Sequence, residues 1–336
     1  MSRICLLSAM KNEGPDVLEW ALYHRLVGFD HIVVYTNGCT DGSDLLLDAI
    51  SGLGWLSHRR HEPPAGLSPQ DAVAARAKAD PVLAAADWLM WLDADEFLVV
   101  HAGAGRVADL IPAARGAEAL SLNWRCFGDG GHEASPKGLV IESFVHGMSL
   151  DNPQSRSVKT LFRQTARIAE LAIHRPILTP GDDIDWRDGG GKPLRGHFQF
   201  DRNKDDRPKH RVPEGRQSWK IGQINHYPIK ALDRYLLKRL RGNGLDPDCA
   251  PERFDPEYLD IFNFNEVEDR QSHKDLPALK AAMAEALADP AIAAAHAACT
   301  ARDQARRAEV AAMIPALLPY RYRRGGPPSP SGANGA

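Results

Sequence analysis

The chain of 336 residues has few cysteines and almost no excess of charge of either sign. Its five cysteines are scattered and form no CxxC pair, so the sequence predicts neither a disulfide framework nor a structural zinc knuckle. The 41 Lys and Arg nearly balance the 44 Asp and Glu, for a net charge of −3, and we expect no nucleic-acid partner. Hydrophobic residues make up 43%, which excludes a wholly disordered chain.

Long apolar runs are also missing. No segment approaches the ~20 apolar residues that span a bilayer, and the best candidate, residues 88–92, is followed at once by Asp93. The N-terminal segment has too short an apolar core for a signal peptide. We therefore expect a cytoplasmic protein without a membrane span, for which peripheral association with a membrane stays open.

Strand-like and helical segments alternate over the first hundred residues. The strand-like segments are short and apolar or β-branched, and they cover residues 4–9, 31–35, 54–58 and 87–92. The helical segments cover residues 16–27, 43–50 and 71–86. This alternation predicts βαβ units, and therefore an α/β fold with a parallel sheet and right-handed connections.

After residue 100 the alternation gives way to a mixed pattern. Strand-like segments cover residues 119–127, 158–163, 169–174 and 222–226. Helical patterns cover residues 107–114, 232–240 and 278–314, the last interrupted near Pro290. Residues 195–220 contain eight Lys or Arg against four Asp or Glu, which predicts a basic loop.

Three carboxylates, Asp93, Asp95 and Glu96, follow the apolar segment 88–92. In open α/β sheets, ligands bind beyond the carboxyl ends of the strands. On an extended segment Asp93 and Asp95 point to the same side, and two carboxylates can hold a hard divalent cation that neutralises a diphosphate leaving group. The alternative is an acidic surface turn, but the position directly after a buried strand favours a cation site.

Polar residues also follow the first two strands. After the first strand, Lys11 can meet a phosphate and Glu13 can accept hydrogen bonds from a base or ribose, although both equally suit a polar turn at a helix start. After the second strand, Asn37 can pair with a nucleobase, whereas Asp41 is more typical of a turn or a helix cap. These residues predict a nucleotide site at the same sheet edge.

The segments KNEGPDVLEW, YTNGCTDGSD and DADEF, in this order after successive strands, resemble glycosyltransferases of family 2 type with the GT-A fold. The DxDEF form resembles one branch of that superfamily, and WRCFGDGG, KTLFR and INHYPIK fit the same branch. The resemblance covers roughly residues 1–245. It implies a GT-A-like fold, a Rossmann-like mixed sheet flanked by helices, to which the helical patterns add a helical C-terminal extension.

The resemblance also implies an activity: transfer of a sugar from a nucleotide-sugar donor, with a divalent metal (Mn or Mg), to a hydroxyl of a carbohydrate, lipid-linked or polysaccharide acceptor. The resemblance also implies transfer with inversion, and because the QxxRW motif of processive members is absent, we expect a non-processive enzyme. The positions that match the family at the donor and metal sites are Lys11, Glu13, Asn37, Gln70, Asp93 and Asp95.

A metal held by two carboxylates often gains a third protein ligand. His226, at the end of the strand-like IGQINHY, is the first candidate, followed by His174 and His197. Imidazole does not fix the identity of the metal. For each histidine the alternative is a hydrogen-bonded, partly buried residue without a ligand role.

Two further roles, phosphate binding and removal of the acceptor proton, also have candidates. Lys159 lies on a strand-like segment, where it can face the phosphates or solvent. Inversion requires a base for the acceptor hydroxyl, and the candidates are Asp129, His132 and Glu142. No spacing singles out one of the three.

We expect a GT-A-like catalytic domain over residues 1–228, with a nucleotide-binding half (1–100) and an acceptor half (101–228). A helical extension over 229–320 and a disordered tail over 325–336 follow. One alternative is a sugar-phosphate nucleotidyltransferase, which would normally carry a glycine-rich phosphate loop after the first strand; KNEGP is not one. The other is a non-catalytic carbohydrate-binding relative, which the intact DADEF segment disfavours.

Overall fold

The computed structural model describes residues 2–198, 210–241 and 256–321. The tail at 325–336 and part of the basic segment, 199–209, lie outside these ranges.

The strands in the described ranges are β1 (Ile4–Met10), β2 (His31–Thr36), β3 (Leu56–Arg60), β4 (Trp88–Trp91), β5 (Glu96–Val100), β6 (Ala119–Cys126), β7 (His146–Gly147), β8 (Val158–Arg163), β9 (Ile168–Glu170), β10 (Ile177–Leu178), β11 (Trp186–Arg187), β12 (Gly222–His226) and β13 (Val267–Glu268). The α-helices are α1 (Asp16–Val27), α2 (Ser43–Ser51), α3 (Pro69–Ala77), α4 (Pro81–Ala84), α5 (Leu110–Ala113), α6 (Val140–Ser143), α7 (Leu232–Arg241), α8 (Pro256–Phe262), α9 (Leu276–Ala286) and α10 (Pro290–Val310).

Nine strands form one mixed sheet in the order β3-β2-β1-β4-β8-β6-β12-β5, with β11 beside β6. The four strands β3, β2, β1 and β4 are parallel, and β8 runs antiparallel to both β4 and β6. The predicted α/β class, with a mixed sheet flanked by helices and a helical C-terminal extension, is confirmed. The chain builds outward from β1 to β3 and then returns to place β4 on the other side of β1, so a topological switch point lies between β1 and β4.

Apolar side chains cover both faces of the sheet. Leu6 of β1 belongs to the cluster that includes Trp20 of α1, while Cys5 and Leu7 belong to the cluster on the opposite face. This division follows from the two-residue period of a strand. A parallel sheet buried on both faces requires continuous apolar strands, which explains the run ICLLSAM in β1.

The predicted helix over residues 71–86 is two helices, α3 and α4, and that prediction is wrong. Pro81 is the first residue of α4, and a proline disfavours helical conformation in the residue before it. Asp80 is extended and its carboxylate accepts hydrogen bonds from the backbone N–H groups of Val82 and Leu83. Asp80 is therefore the N-cap of α4, at a position where the alanine-rich pattern predicted the interior of one continuous helix.

Strand β5 is a feature that the sequence patterns did not predict. It begins at Glu96, directly after the acidic turn, and pairs antiparallel with β12 so that Glu96 lies opposite His226. This register brings the DADEF and INHYP segments together at one edge of the sheet.

The C-terminal helices pack on the sheet domain. Leu279 of α9 and Ile292 of α10 join the apolar cluster that contains Trp20, and α10 contacts both α2 and α7. The domain boundary at residue 228 stays a prediction. Within the described ranges, no helix combines the length and the hydropathy that a membrane crossing needs.

Candidate active site

A cleft lies at the carboxyl ends of the parallel strands, at the switch point beside β1. Its floor is formed by residues that follow three strands: Glu13 after β1, Asp41 after β2 and Asp95 after β4. Helix α7 covers it, and the cationic residues of the lining are Lys230, Arg234, Lys238, Arg241 and Arg306. The carboxylates predicted at separate strand ends are thus gathered under one basic helix.

The acidic segment DADEF forms a tight turn between β4 and β5. The backbone N–H of Glu96 donates to the carbonyl oxygen of Asp93 at 3.0 Å, and the indole N–H of Trp20 donates to the carbonyl oxygens of Asp93 and Glu96 at 3.0 and 2.9 Å. The expectation that Asp93 and Asp95 share one side of an extended segment is therefore wrong, because the chain reverses there. The two carboxylates meet different partners.

Lys159 of β8 is fully buried between two carboxylates of this turn. Its ammonium lies 2.9 Å from Oδ2 of Asp93 and 3.0 Å from Oε2 of Glu96. Burial raises the pKa of the Glu96 carboxyl, and the Lys159 ammonium partly offsets that rise. The sequence leaves two environments open to Lys159, the donor phosphates or solvent, but its side chain is 0% exposed and pairs with Asp93 and Glu96.

Asp95 faces the cleft and has two cationic neighbours. Lys238 Nζ lies 2.5 Å from its Oδ2, and Nε2 of His226 lies 3.6 Å from its Oδ1. Burial alone would raise the pKa of Asp95, but the charges of Lys238 and His226 lower it well below its usual range. Burial alone would likewise lower the pKa of His226, yet Asp95 outweighs it and raises that pKa to about 10.

The loop after β1 is tied to the loop after β2. The backbone N–H of Thr40 donates to Oδ1 of Asn12 at 2.7 Å, and that of Gly14 donates to Oδ2 of Asp41 at 2.8 Å. Asn12 and Gly14 both have positive φ, 53° and 63°, which suits an asparagine and a glycine. Because Asp41 takes the Gly14 N–H, this loop is locked by protein contacts.

Glu13, the first-strand carboxylate, is paired with the last residue of α7. The Arg241 guanidinium donates to Oε1 of Glu13 and to the carbonyl oxygen of Lys11 at 2.9 Å. Lys238 and Arg241 therefore each neutralise one cleft carboxylate, on neighbouring strand ends. No sequence motif indicated either residue, although their spacing of three along an amphipathic helix places them on one face.

Two further cations fix helix α7 in place. Lys230 and Arg234 donate to the two carboxylate oxygens of Asp16 on α1, at 2.6 and 3.1 Å. Arg234 also pairs with Asp303 of α10 at 2.9 Å. The C-terminal extension thus helps to hold the cationic helix over the strand ends.

The remaining predicted donor residues, Lys11, Asn37 and Gln70, do not line the described cleft. Lys11 and Asn37 follow β1 and β2, and a Cβ added to Gly38 would lie 3.9 Å from the Lys11 ammonium, so the two loop ends are close. Gln70 lies in the first turn of α3.

The second and third histidine candidates make backbone contacts elsewhere. Nδ1 of His174 lies 3.0 Å from the carbonyl oxygen of Val158, and its ring stacks on that of His210. Nε2 of His197 lies 2.8 Å from the carbonyl oxygen of Arg211. Of the three, His226 is the one that contacts Asp95.

The three candidate bases do not line the described cleft. Asp129 is fully buried, and its Oδ2 accepts a hydrogen bond from Arg321 at 2.7 Å. Glu142 pairs with Lys280 at 2.5 Å near the surface. His132 is half-buried, with its ring edge-on to that of Phe144. The identity of the base stays a prediction.

The donor chemistry of the acidic turn fits a hard divalent cation. Carboxylate oxygens are the ligands that Mg²⁺ and Mn²⁺ prefer, and Oδ1 of Asp93 is buried without a hydrogen-bond partner. Across the described ranges, however, no three His, Cys, Asp or Glu side chains form a metal-binding group. Asp93 is paired with Lys159, and Asp95 is paired with Lys238 and lies beside His226, so the ligand set of a metal stays a prediction.

No protein-family model and no curated protein sequence matches the chain. Among solved structures, S. aureus TarS 1-349 aligns over 96% of this chain and 93% of its own, at 14% identity and a TM-score of 0.34. The mannosyltransferase Ktr4p from S. cerevisiae covers 38% of this chain and 40% of its own, at 9% identity and a TM-score of 0.25. A putative glucose-1-phosphate thymidylyltransferase from Bacillus anthracis covers 48% and 71%, at 10% identity and a TM-score of 0.29. Similarity at these values assigns no activity to this chain.

Proposed function

We propose that this chain is a metal-dependent glycosyltransferase that moves a sugar from a nucleotide-sugar donor to an acceptor hydroxyl, with inversion and without processivity. The observation that carries the proposal is the cleft at the switch point of the sheet, where Asp95 and Glu13 face Lys238 and Arg241. Open α/β sheets bind ligands at such a point. A cleft with both acidic and basic groups suits a ligand that brings a diphosphate together with a cation.

The donor would lie along the carboxyl ends of β1, β2 and β4. In this arrangement Lys11, Glu13 and Asn37 would contact the nucleoside, and Asp93 and Asp95 would hold a divalent cation. The cation would supply charge neutralisation of the leaving group. The chain itself would orient the donor through the locked loop after β1 and the turn pinned by Trp20.

The rigidity of the acidic turn supports a role in catalysis. Trp20 and Lys159 hold it by buried contacts, so its carboxylates need little rearrangement when a cation binds. Preorganised charge of this kind is the largest contribution in many enzymes.

The acceptor, a carbohydrate or a lipid-linked or polysaccharide hydroxyl, would approach from the half built on β6, β8 and β12. A base must take its proton as the new bond forms. The burial of Asp129 in its pair with Arg321 supports His132 or Glu142 over Asp129 for this task.

A screen of nucleotide-sugars tests the proposal. Hydrolysis or transfer with at least one donor is expected in Mn²⁺ or Mg²⁺, and its loss is expected in excess EDTA. A nucleotidyltransferase would instead release pyrophosphate from a nucleoside triphosphate and a sugar phosphate, and that result would replace the proposal. Donor binding without turnover at any acceptor would indicate a carbohydrate-binding relative.

A further inference from the structure

The ammonium of Lys238 pairs with the carboxylate of Asp95, where a divalent cation would bind in the proposed function. We propose that Lys238 is an exchangeable internal counter-ion: it pairs with Asp95 when no divalent cation is bound, and it transfers to the donor's diphosphate when a cation takes Asp95. This inference deepens the proposed function and rests on it. It adds a binding role for a residue that no motif of the sequence indicated.

The geometry of the pair is direct. Nζ of Lys238 on α7 lies 2.5 Å from Oδ2 of Asp95, a residue 143 positions earlier in the chain. Both side chains line the cleft, and they are 18% and 14% exposed. A cation that approached Asp95 from the cleft would therefore meet the ammonium of Lys238 first.

Comparison with Lys159 shows why Lys238 can exchange. Lys159 is 0% exposed and bridges two carboxylates, Asp93 and Glu96, so moving it would leave buried charges unpaired. Among the described residues Lys238 has one carboxylate partner, a second contact with the carbonyl oxygen of Pro228 at 3.1 Å, and an open side toward the cleft. Its flexible four-carbon stem allows the ammonium to move by several ångströms while α7 stays in place.

The surroundings of α7 support a fixed helix with a movable side chain. Lys230 and Arg234 anchor the helix to Asp16, and Arg234 anchors it to Asp303. These contacts do not involve Asp95. Exchange at Lys238 thus requires a change of rotamer rather than a shift of the helix.

The exchange makes cation and diphosphate binding cooperative. A cation alone must displace the ammonium from Asp95, and a diphosphate alone must draw the ammonium away from it. When both bind, the cation pairs with Asp95 and the diphosphate pairs with the displaced ammonium of Lys238. Each ligand therefore raises the affinity of the other by the same factor. Neither ligand alone would bind as tightly as its contacts allow.

Lys238→Met tests the inference with Mn²⁺ alone and with inorganic pyrophosphate alone. Free Mn²⁺ measured by electron paramagnetic resonance should show an affinity about three- to tenfold higher than in the wild type, because the competing ammonium is gone. Calorimetry in EDTA should show pyrophosphate binding weakened by a similar factor. A merely structural loss would weaken both.

Arg306→Met is the matched control, since it removes one positive charge from the same cleft lining without touching Asp95. Its Mn²⁺ affinity should change by less than about twofold. If Lys238→Met unfolds at a lower temperature than the wild type, Lys238→Gln replaces it. Unchanged or weaker Mn²⁺ binding in a folded Lys238 variant overturns the exchange.

The outcomes separate this inference from the proposed function. Binding of Mn²⁺ alone needs neither donor nor acceptor, so a tighter Lys238→Met in a protein without transferase activity would overturn only the proposed function. Absence of Mn²⁺ binding in both proteins, together with donor turnover in EDTA, would overturn only the exchange and the metal requirement.

Discussion

Glu96 on β5 and His226 on β12 lie directly opposite each other in an antiparallel pair. This register places the acidic turn and the end of the INHYP segment side by side, and so brings His226 to 3.6 Å from Asp95. Two motifs that are far apart in the chain thus form one site. The pairing gives His226 a charge partner whether or not a metal binds there.

His226→Ala should therefore destabilise the protein in the absence of metal. We expect a loss of about 1–3 kcal/mol in the free energy of unfolding, since a buried charge partner of Asp95 is removed, measured by urea unfolding in EDTA. Mn²⁺ binding should not weaken, because the variant loses a positive charge that faces Asp95. Unchanged stability combined with a 10- to 100-fold loss of Mn²⁺ affinity would instead identify His226 as a metal ligand.

Lys159→Met should be far more damaging than Lys238→Met. Removal of the Lys159 ammonium leaves Asp93 and Glu96 without their shared buried partner, for an expected loss of about 3–5 kcal/mol. The Lys238 pair reaches the cleft, where water and His226 can compensate for part of its loss, so the cost of Lys238→Met should be smaller. Chemical unfolding of both variants checks this order, and equal stabilities would show that the acidic turn does not depend on Lys159.

His24 predicts a loss of stability in acid. It is fully buried, its Nδ1 lies 2.9 Å from the carbonyl oxygen of Trp20, and its Nε2 accepts a hydrogen bond from the N–H of Leu98 at 3.3 Å. Burial lowers the pKa of His24 from 6.5 to about 3. Between these two pH values the histidine is protonated in the unfolded chain and neutral in the folded chain. The contribution of neutral His24 is thus complete above pH 6.5 and is lost as the pH falls from there toward 3, by up to about 1.4 kcal/mol per pH unit.

His24→Gln, which cannot titrate, is the comparison for this prediction. Its free energy of unfolding should fall less steeply than that of the wild type between pH 6.5 and 4.5. Parallel curves for the two proteins would mean that the histidine is not neutral in the folded state.

Those parts of the fold that depend on local pattern were predictable from the sequence. Helix α1 has the predicted bounds because Gly14 and Pro15 precede its run of helically spaced apolar residues and Gly28, with φ 108°, ends it. Strands β8 and β12 also have their predicted bounds. Apolar content and flanking turn residues decide such elements, and both are visible in a short window.

The arrangement of the site depended on contacts between distant segments, which no short window contains. The sequence indicated Asp95 as a binding residue but not Lys238, because their pairing requires α7 to lie across the switch point. It left Lys159 facing either phosphates or solvent, because a lone lysine on a strand does not reveal that two carboxylates enclose it. Strand β5 was missed because its pairing partner, β12, lies far away in the chain.

The most direct test of the account is donor turnover by wild type and Asp95→Asn, each with Mn²⁺ and with excess EDTA. The substitution keeps the volume of the side chain but removes the charge that faces the cleft, and metal stabilisation of a leaving group contributes several kcal/mol. We predict that Asp95→Asn lowers nucleotide-sugar turnover in Mn²⁺ by at least ~10²-fold, with unfolding temperature within a few degrees of the wild type and both proteins inactive in EDTA. Near-normal turnover by Asp95→Asn, or equal wild-type turnover with and without EDTA, would contradict a metal-dependent transferase at this cleft.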